Sequence, residues 1–303
     1  MQEESKLLGK EIAYPETYCP EILVAVPRRL NREIYGIDRP DSLFCGYDSW
    51  HCYEASFLTK QGLPVAGILK LVYASTSEFL VESKSLKLYL GSFNMICLGD
   101  SVAEGIAVFK ATVARDLSAL LHTSVETAFF QTLPDSRPFD FPEYTLLETL
   151  PRIAAASFSA YQENPAYLLE NVTKYGGEML VCSHLLKSNC KITHQPDWGS
   201  IYIRIKAAHL PDELSLLKYI VSLRDENHFH EEICEMTFKR LTDIFNPEIL
   251  TVCCLYTRRG GIDICPVRAN KAEFIPACLP RADILTASAF SCLLYTSPSP
   301  RDS

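Results

Sequence analysis

The sequence predicts an α+β fold of two modules in tandem, each an antiparallel sheet with helices packed on one face. Three observations predict it. Apolar residues make up 48% and charged residues 22%, enough to bury a real core and unlike a disordered chain. The order strands, helices, strands occurs twice along 303 residues, a length that suits one large domain or two ordinary ones. Between the two runs lies "QTLPDSRPFDFPEYTLLETLP" (131–151), rich in proline and acid, a natural connector. The expected division is 1–135, 136–290 and a tail, 291–303. That tail, "SCLLYTSPSPRDS", turns abruptly Ser/Pro-rich and resembles translated non-native sequence.

In the first module, "LPVAGILKLVYASTSEFLVES" (63–83) carries strand-like apolar runs. "SVAEGIAVFKATVARDLSALLH" (101–122) spaces Val102, Ile106, Phe109, Val113, Leu117 and Leu120 as one face of a helix. "SVETAFFQT" (124–132) returns to strand. In the second module, "GSIYIRIKAAH" (199–209) alternates Ile201, Ile203 and Ile205 with Tyr202, Arg204 and Lys206, a half-buried strand. "PDELSLLKYIVSLR" (211–224) is a helix with Pro211 and acids at its start, and "EEICEMTFKRLTDIF" (231–245) is another. "ILTVCCLYT" (249–257) and "IDICPV" form a hairpin around the turn "RRGG".

Net charge is −8, which argues against a general nucleic-acid binder, because neutralising phosphates needs a cationic face. The N-terminus lacks the apolar run of a signal peptide, and no stretch approaches bilayer-spanning length. A soluble cytoplasmic protein is expected. Its twelve cysteines are then mostly reduced and buried, and no C-x-x-C pair occurs.

Chemistry concentrates in "LLKSNCKITHQPDWGS" (185–200), where Cys190 lies among Lys187, Lys191 and His194. Nearby cations stabilise a thiolate, the nucleophilic form; an ordinary buried cysteine with solvated lysines is the plainer alternative. The flanking residues suggest a polar loop, where functional groups gather. Asp197 stands between Pro196 and Trp198. A carboxyl packed against an aromatic has a raised pKa and can act as a general acid; the alternative is a turn aspartate. "NHFHEE" (227–232) presents His228, His230 and two glutamates at a helix start, with no H-E-x-x-H and too few converging ligands for a metal. "VESKSLKLYL" (81–90) sets Glu82, Ser83, Lys84, Ser85 and Lys87 at a strand-to-helix junction, where helix-start amides and a lysine suit a phosphate; a capping segment with a solvated lysine is the alternative. "TRRGG" (257–261) is a phosphate clamp or an exposed turn. Neither G-x-G-x-x-G nor G-x-x-x-x-G-K-[ST] is present, so a dinucleotide would have to bind outside a Rossmann fold or P-loop.

"ESKSLKLY" (82–89) resembles the signature octet of the QueF family of NADPH-dependent 7-cyano-7-deazaguanine reductases. "SHLLKSNCKITHQPDWGS", "FHE" and "YTRRGGIDI" resemble its other landmarks in the same order. The resemblance runs from about Leu30 to about Asn270 and is strongest to the long, bimodular branch; residues from about Lys271 onward match poorly. It implies tandem tunnelling-fold (T-fold) modules, usually in a homodimer joined through sheet edges. It also implies four-electron reduction of a nitrile to a primary amine with two NADPH, in the pathway to the tRNA base queuosine. By resemblance, Cys190 attacks the nitrile to give a thioimidate, Asp197 donates protons, and His230 lies near the nitrile end. Glu82 and Glu231 read the guanine-like edge of the 7-deazapurine, with Val81 and Ser83 lining the same pocket. Ser83, Lys84, Arg259 and Gly260 match the NADPH contacts. No metal, nucleic acid or membrane partner is implied.

Three other functions compete. A zinc-dependent GTP cyclohydrolase on the same fold could recruit Cys190 and His230 as ligands. A purine-binding module without catalysis would be expected to lack Cys190 or Asp197, and both are present. A Cys/His hydrolase would use Cys190 and His230 without NADPH, but local signatures of such enzymes are missing.

Overall fold

The computed structural model describes residue 15 and residues 17–287; the segment 291–303 lies outside them. Among the described residues are ten strands: β1 (Ala25–Pro27), β2 (Cys45–Leu58), β3 (Pro64–Ala74), β4 (Phe79–Val81), β5 (Val125–Phe130), β6 (Thr145–Leu146), β7 (Gly177–Asn189), β8 (Pro196–Ala207), β9 (Ile249–Tyr256) and β10 (Ile262–Ala269). The helices are α1 (Arg29–Ile34), α2 (Pro40–Leu43), α3 (Ser83–Gly91), α4 (Val102–Leu121), α5 (Glu213–Ser222) and α6 (His230–Phe245). Eight strands form one sheet in the order β5-β3-β2-β10-β9-β8-β7-β6, while β1 and β4 pair separately. All pairs are antiparallel except β6–β7. Among the described strands, β2–β10 is the one hydrogen-bonded pair joining the first half to the second, with Ile262↔Cys52 through Ala269↔Cys45 in register.

Both helix pairs cover the same sheet face. α3 and α4 bury Leu86, Tyr89, Phe109, Val113 and Leu117 against Trp50, Phe57, Leu69 and Leu71. α5 and α6 bury Leu216, Tyr219, Phe238 and Leu241 against Ile201, Ile203, Ile205 and Val252. The alternation in β8 thus sends its isoleucines under the helices, as period two demands. Helix starts are locally specified. Ser101 caps α4 by accepting from Glu104 N, while Glu104 Oε2 accepts from Asp100 N at 2.7 Å. Asp212 caps α5 through Ser215 N.

The opposite face is covered by the connector and by residues 272–287. Phe141 stacks on Tyr202 at 4.4 Å, Asp140 accepts from the amides of Cys278 and Leu279, and Ala287 N donates to Pro138 O. Residues 272–287, within the stretch that matches the family poorly by sequence, pack into the folded body.

A buried charge cluster fills the helix-side seam between β2 and β10. Arg28 pairs with Asp48, and Arg268 bonds Asp48 at 2.8 Å and Glu235 at 2.8 Å. Arg32, on α1, grips both oxygens of Glu235 at 2.8 Å. A β-carbon at Gly46 would lie 2.0 Å from Val267 O and 2.9 Å from Arg268 Cδ, so only glycine admits this packing. Burial alone would raise the Glu235 carboxyl; Arg268, Arg32 and Arg28 overcome it and hold it down to about 2.

Candidate active site

Cys190 is the first residue beyond β7, at the tip of the β7–β8 hairpin. Its N donates to Gln195 O at 2.8 Å and its carbonyl accepts from His194 N at 2.9 Å. The turn closes with His194 in the left-handed region, φ 55°. The thiol is half-buried. Asn189 N donates to Glu226 O (2.7 Å), and His228 N donates to Asn189 O (3.0 Å), so the entry to α6 is laced to the end of β7. That lacing sets His230 and Glu231, the first residues of α6, beside the hairpin that carries Cys190 and Asp197.

The basic residues around Cys190 are bonded elsewhere. Lys187 Nζ donates to Asn189 Oδ1 (2.6 Å) and Arg224 O (2.7 Å). Lys191 Nζ donates to Asn31 Oδ1, and the His194 ring meets Asn227 Oδ1 at 2.7 Å. The cationic surround expected from sequence proximity is therefore a scaffold for the loop.

Two expectations for Asp197 are corrected. Residues 196–199 are the start of β8, with Asp197 paired to Ser188 and Trp198 to Lys187, and form no loop or turn. Successive strand residues point to opposite faces, so Trp198 lies under the Arg224 guanidinium, 4.9 Å away, and does not shield the carboxylate. The expected rise in pKa is also reversed. Asp197 is only 6% exposed, and that burial pushes its pKa up. His230, with Nε2 3.4 Å from Oδ2, and Arg259, paired to Oδ1, outweigh burial and leave it below the usual carboxylate value. The His230 ring stacks on Tyr256 at 3.9 Å, which fixes its plane. Gln195 Oε1 holds the other arm of Arg259 at 2.6 Å.

Glu231 is buried, and its Oε1 has no hydrogen-bond partner among the described residues. Burial, reinforced by Asp48, pushes its pKa up to about 7 against the pull of His230 and Arg28. Glu82, the N-cap of α3, is buried too. It accepts from Lys84 N (3.0 Å) and Ser85 N (2.6 Å); burial raises its pKa while these amides oppose the rise. The helix-start amides expected to hold a phosphate are thus taken by Glu82. Beside it lie the exposed Ser83 and the half-buried Lys84. Val81 precedes them, paired with Ala25.

Gly260 and Gly261, with φ 58° and 83°, let the β9–β10 turn fold so that Arg259 reaches Asp197. A β-carbon at Gly260 would meet Lys87 Nζ at 3.5 Å. The octet helix and the "TRRGG" turn therefore share one cationic rim, whose Arg259 side chain is 39% exposed. These residues fit an anionic cofactor.

Sequence reasoning missed Tyr256, Gln195 and the cluster of Arg28, Asp48, Glu235 and Arg268. Charged residues at inward-facing strand positions were the available signal for Asp48 and Arg268.

Residues 14–129 match the family described as "Nitrile reductase, 7-cyano-7-deazaguanine-reductase N-term", and residues 196–274 match "QueF-like protein". The chain is 41% identical over 272 residues to the NADPH-dependent 7-cyano-7-deazaguanine reductase of Azoarcus sp. (strain BH72), covering 89% of this chain and 92% of that protein. It is 39% identical over 272 residues to the protein of the same name from Coxiella burnetii (strain RSA 331 / Henzerling II), covering 89% and 94%. The chain belongs to the QueF family of nitrile reductases.

Proposed function

We propose that this chain reduces the nitrile of 7-cyano-7-deazaguanine to the primary amine through a covalent thioimidate on Cys190, in queuosine biosynthesis. The observation that carries the mechanism is the Asp197–His230 contact at 3.4 Å, between the hairpin that presents Cys190 and the start of α6. The fold is the family's tunnelling fold, with two modules divided near 135/136 sharing one sheet. Two NADPH supply the hydrides that the four-electron change requires.

The chain's own residues do the rest. Cys190 adds to the nitrile carbon, so a C–S bond forms as one C–N π bond breaks. Asp197, ionised at rest, takes the thiol proton and passes it to the nitrogen, which makes it a shuttle that begins as an acceptor. After the first reduction, the Asp197–His230 pair protonates nitrogen. The C–S bond then breaks with its electrons returning to sulfur, leaving an imine whose reduction consumes the second hydride and proton. Glu82 and Glu231 accept hydrogen bonds from the guanine-like edge, beside Val81 and Ser83. A pocket with such carboxylates rejects purines lacking those donors. Ser83, Lys84, Arg259 and Gly260 hold the cofactor, with the cations on its phosphates.

The proposal extends to a cytoplasmic homodimer joined through sheet edges, of which β5 is one, without direct nucleic-acid or membrane partners. No helix among the described residues is long and apolar enough to cross a membrane. The test is intact mass after mixing protein with 7-cyano-7-deazaguanine alone, followed by NADPH. A one-substrate adduct on Cys190, discharged with two NADPH oxidised per amine, supports the assignment. A folded protein giving neither adduct nor NADPH loss overturns it.

A further inference from the structure

The sheet face opposite the helices carries a second constellation, independent of the reaction. We propose that His51, Asp263 and Cys265 form a structural site for a soft divalent cation such as Zn²⁺, which staples β2 to β10 across the seam between the two halves.

One donor atom from each side chain lies within 4.8 Å of the other two. Relative exposure is only 4%, 4% and 5%, so the cluster is not a chance gathering of surface groups. Imidazole, carboxylate and thiolate together suit zinc, and three protein ligands leave its fourth position open. His51 Nδ1 sits 2.6 Å from Asp263 Oδ1, while His51 Nε2 is buried with no partner among the described residues. With Nδ1 on the ion, Nε2 carries the ring proton and calls for an acceptor. Beside it is a cavity of about 10 Å³ lined by His51, Tyr53, Asp263 and Cys265, about the room one water needs to accept from Nε2. Tyr53 OH donates to Asp263 Oδ2 at 2.8 Å, the outer-shell bond that orients a ligating carboxylate.

A tetrahedral ion with ordinary bond lengths sets its ligands about 3.5 Å apart. The His51–Asp263 pair must therefore part by about 1 Å, a side-chain adjustment that leaves the strands in register. The charges also close. Asp263 and the Cys265 thiolate match a dication, and the thiol proton leaves to solvent as the metal–sulfur bond forms. Lys70 stands opposite His51 across β2–β3 and donates to Ile284 O at 2.7 Å. Asp140, which also faces Lys70, adds negative potential.

The test uses the full chain, stripped with a chelator and titrated with Co²⁺ alone. A thiolate-to-cobalt charge-transfer band and visible ligand-field bands should saturate at one ion per chain and vanish when Zn²⁺ is added. Zn²⁺ at a hundredfold excess over its Kd should raise the unfolding midpoint by about 4 °C. Cys265→Ser and His51→Gln should each weaken binding at least about tenfold, while Cys190→Ala leaves the bands unchanged. If either variant fails to fold, X-ray absorption of the zinc-loaded wild type reads the ligands directly, with one sulfur expected. Absence of the bands, their retention in both variants, their loss in Cys190→Ala, or a zinc shell without sulfur overturns the site.

Discussion

Titrating the substrate-binding affinity between about pH 8 and pH 6 tests the assignment of Glu231 most sharply. In the free protein this carboxyl has its pKa pushed up to about 7 by burial and by Asp48. The groups facing it are Asp48 on β2, Tyr73 on β3, Arg28 ahead of α1, and its neighbour His230. A guanine-like edge that donates hydrogen bonds binds the ionised form, so apparent Kd scales as 1 + 10^(pKa − pH). With a pKa of about 7 that factor is about 1.1 at pH 8 and about 11 at pH 6, so affinity weakens about tenfold. A carboxyl at its ordinary value would change affinity by only a few per cent over the same range. The sign is fixed: lower pH protonates the acceptor, and binding at pH 7 releases about half a proton. Calorimetry of 7-cyano-7-deazaguanine with the Cys190→Ala variant, in buffers of different ionisation enthalpy, reads both quantities without adduct formation. Glu231→Gln should weaken binding and remove the slope. A Kd constant from pH 8 to pH 6, or a slope that persists in Glu231→Gln, would refute the reasoning.

The remaining predictions concern catalysis and stability. Cys190→Ala should abolish both adduct and NADPH oxidation, and Asp197→Asn should slow turnover about 10²- to 10⁴-fold while still binding substrate, as stopped-flow absorbance will show. Arg259→Ala removes one of the two partners that hold Asp197 ionised, so the acidic limb of the pH–rate profile should move upward. The KM for NADPH should rise about 10- to 100-fold from the lost charge-assisted contact. Glu235→Gln leaves three buried guanidinium groups facing Asp48 alone and should cost about 3–5 kcal/mol in denaturant unfolding at pH 7. Because its folded pKa lies below the unfolded value, Glu235 contributes stability above about pH 4.5 and loses it as pH falls toward about 2.

Local pattern carried the sequence reading far along the elements and less far across them. The alternation of Ile201, Ile203 and Ile205, and the spacing of Phe109, Val113 and Leu117, located β8, α4 and their buried faces, because period alone decides which side of an element is apolar. The polar stretch around Asp197 misled: a strand whose start faces an active site is as hydrophilic as a loop. Asp197 and Arg259 are 62 residues apart, and no local signal couples them, so the sign of the Asp197 shift was invisible. The cluster of Arg28, Asp48, Glu235 and Arg268 is likewise made by register across β2–β10 and by α6 packing above it, which composition does not encode. Cys190, His230 and Glu231 were grouped because resemblance, not periodicity, brought them together, and the lacing of β7 to the start of α6 sets them close in space.

The seam between β2 and β10 also bears on how the chain is made. β2, fourteen residues long, lies in the middle of the finished sheet, yet its partner on one side comes from residues 262–269. During synthesis the first half can pair β2 with β3 and cover it with α3 and α4, but the other edge of β2 stays bare until almost the whole chain has emerged. An unpaired edge of that length invites pairing with strands of neighbouring nascent chains. The same wait leaves the Asp48–Arg28 pair without its partners Glu235 and Arg268, so the early half does not settle fully on its own. The last strand therefore closes the sheet, neutralises the charge cluster and sets the base on which Arg259 meets Asp197, so the reaction site is completed only when the vulnerable edge disappears.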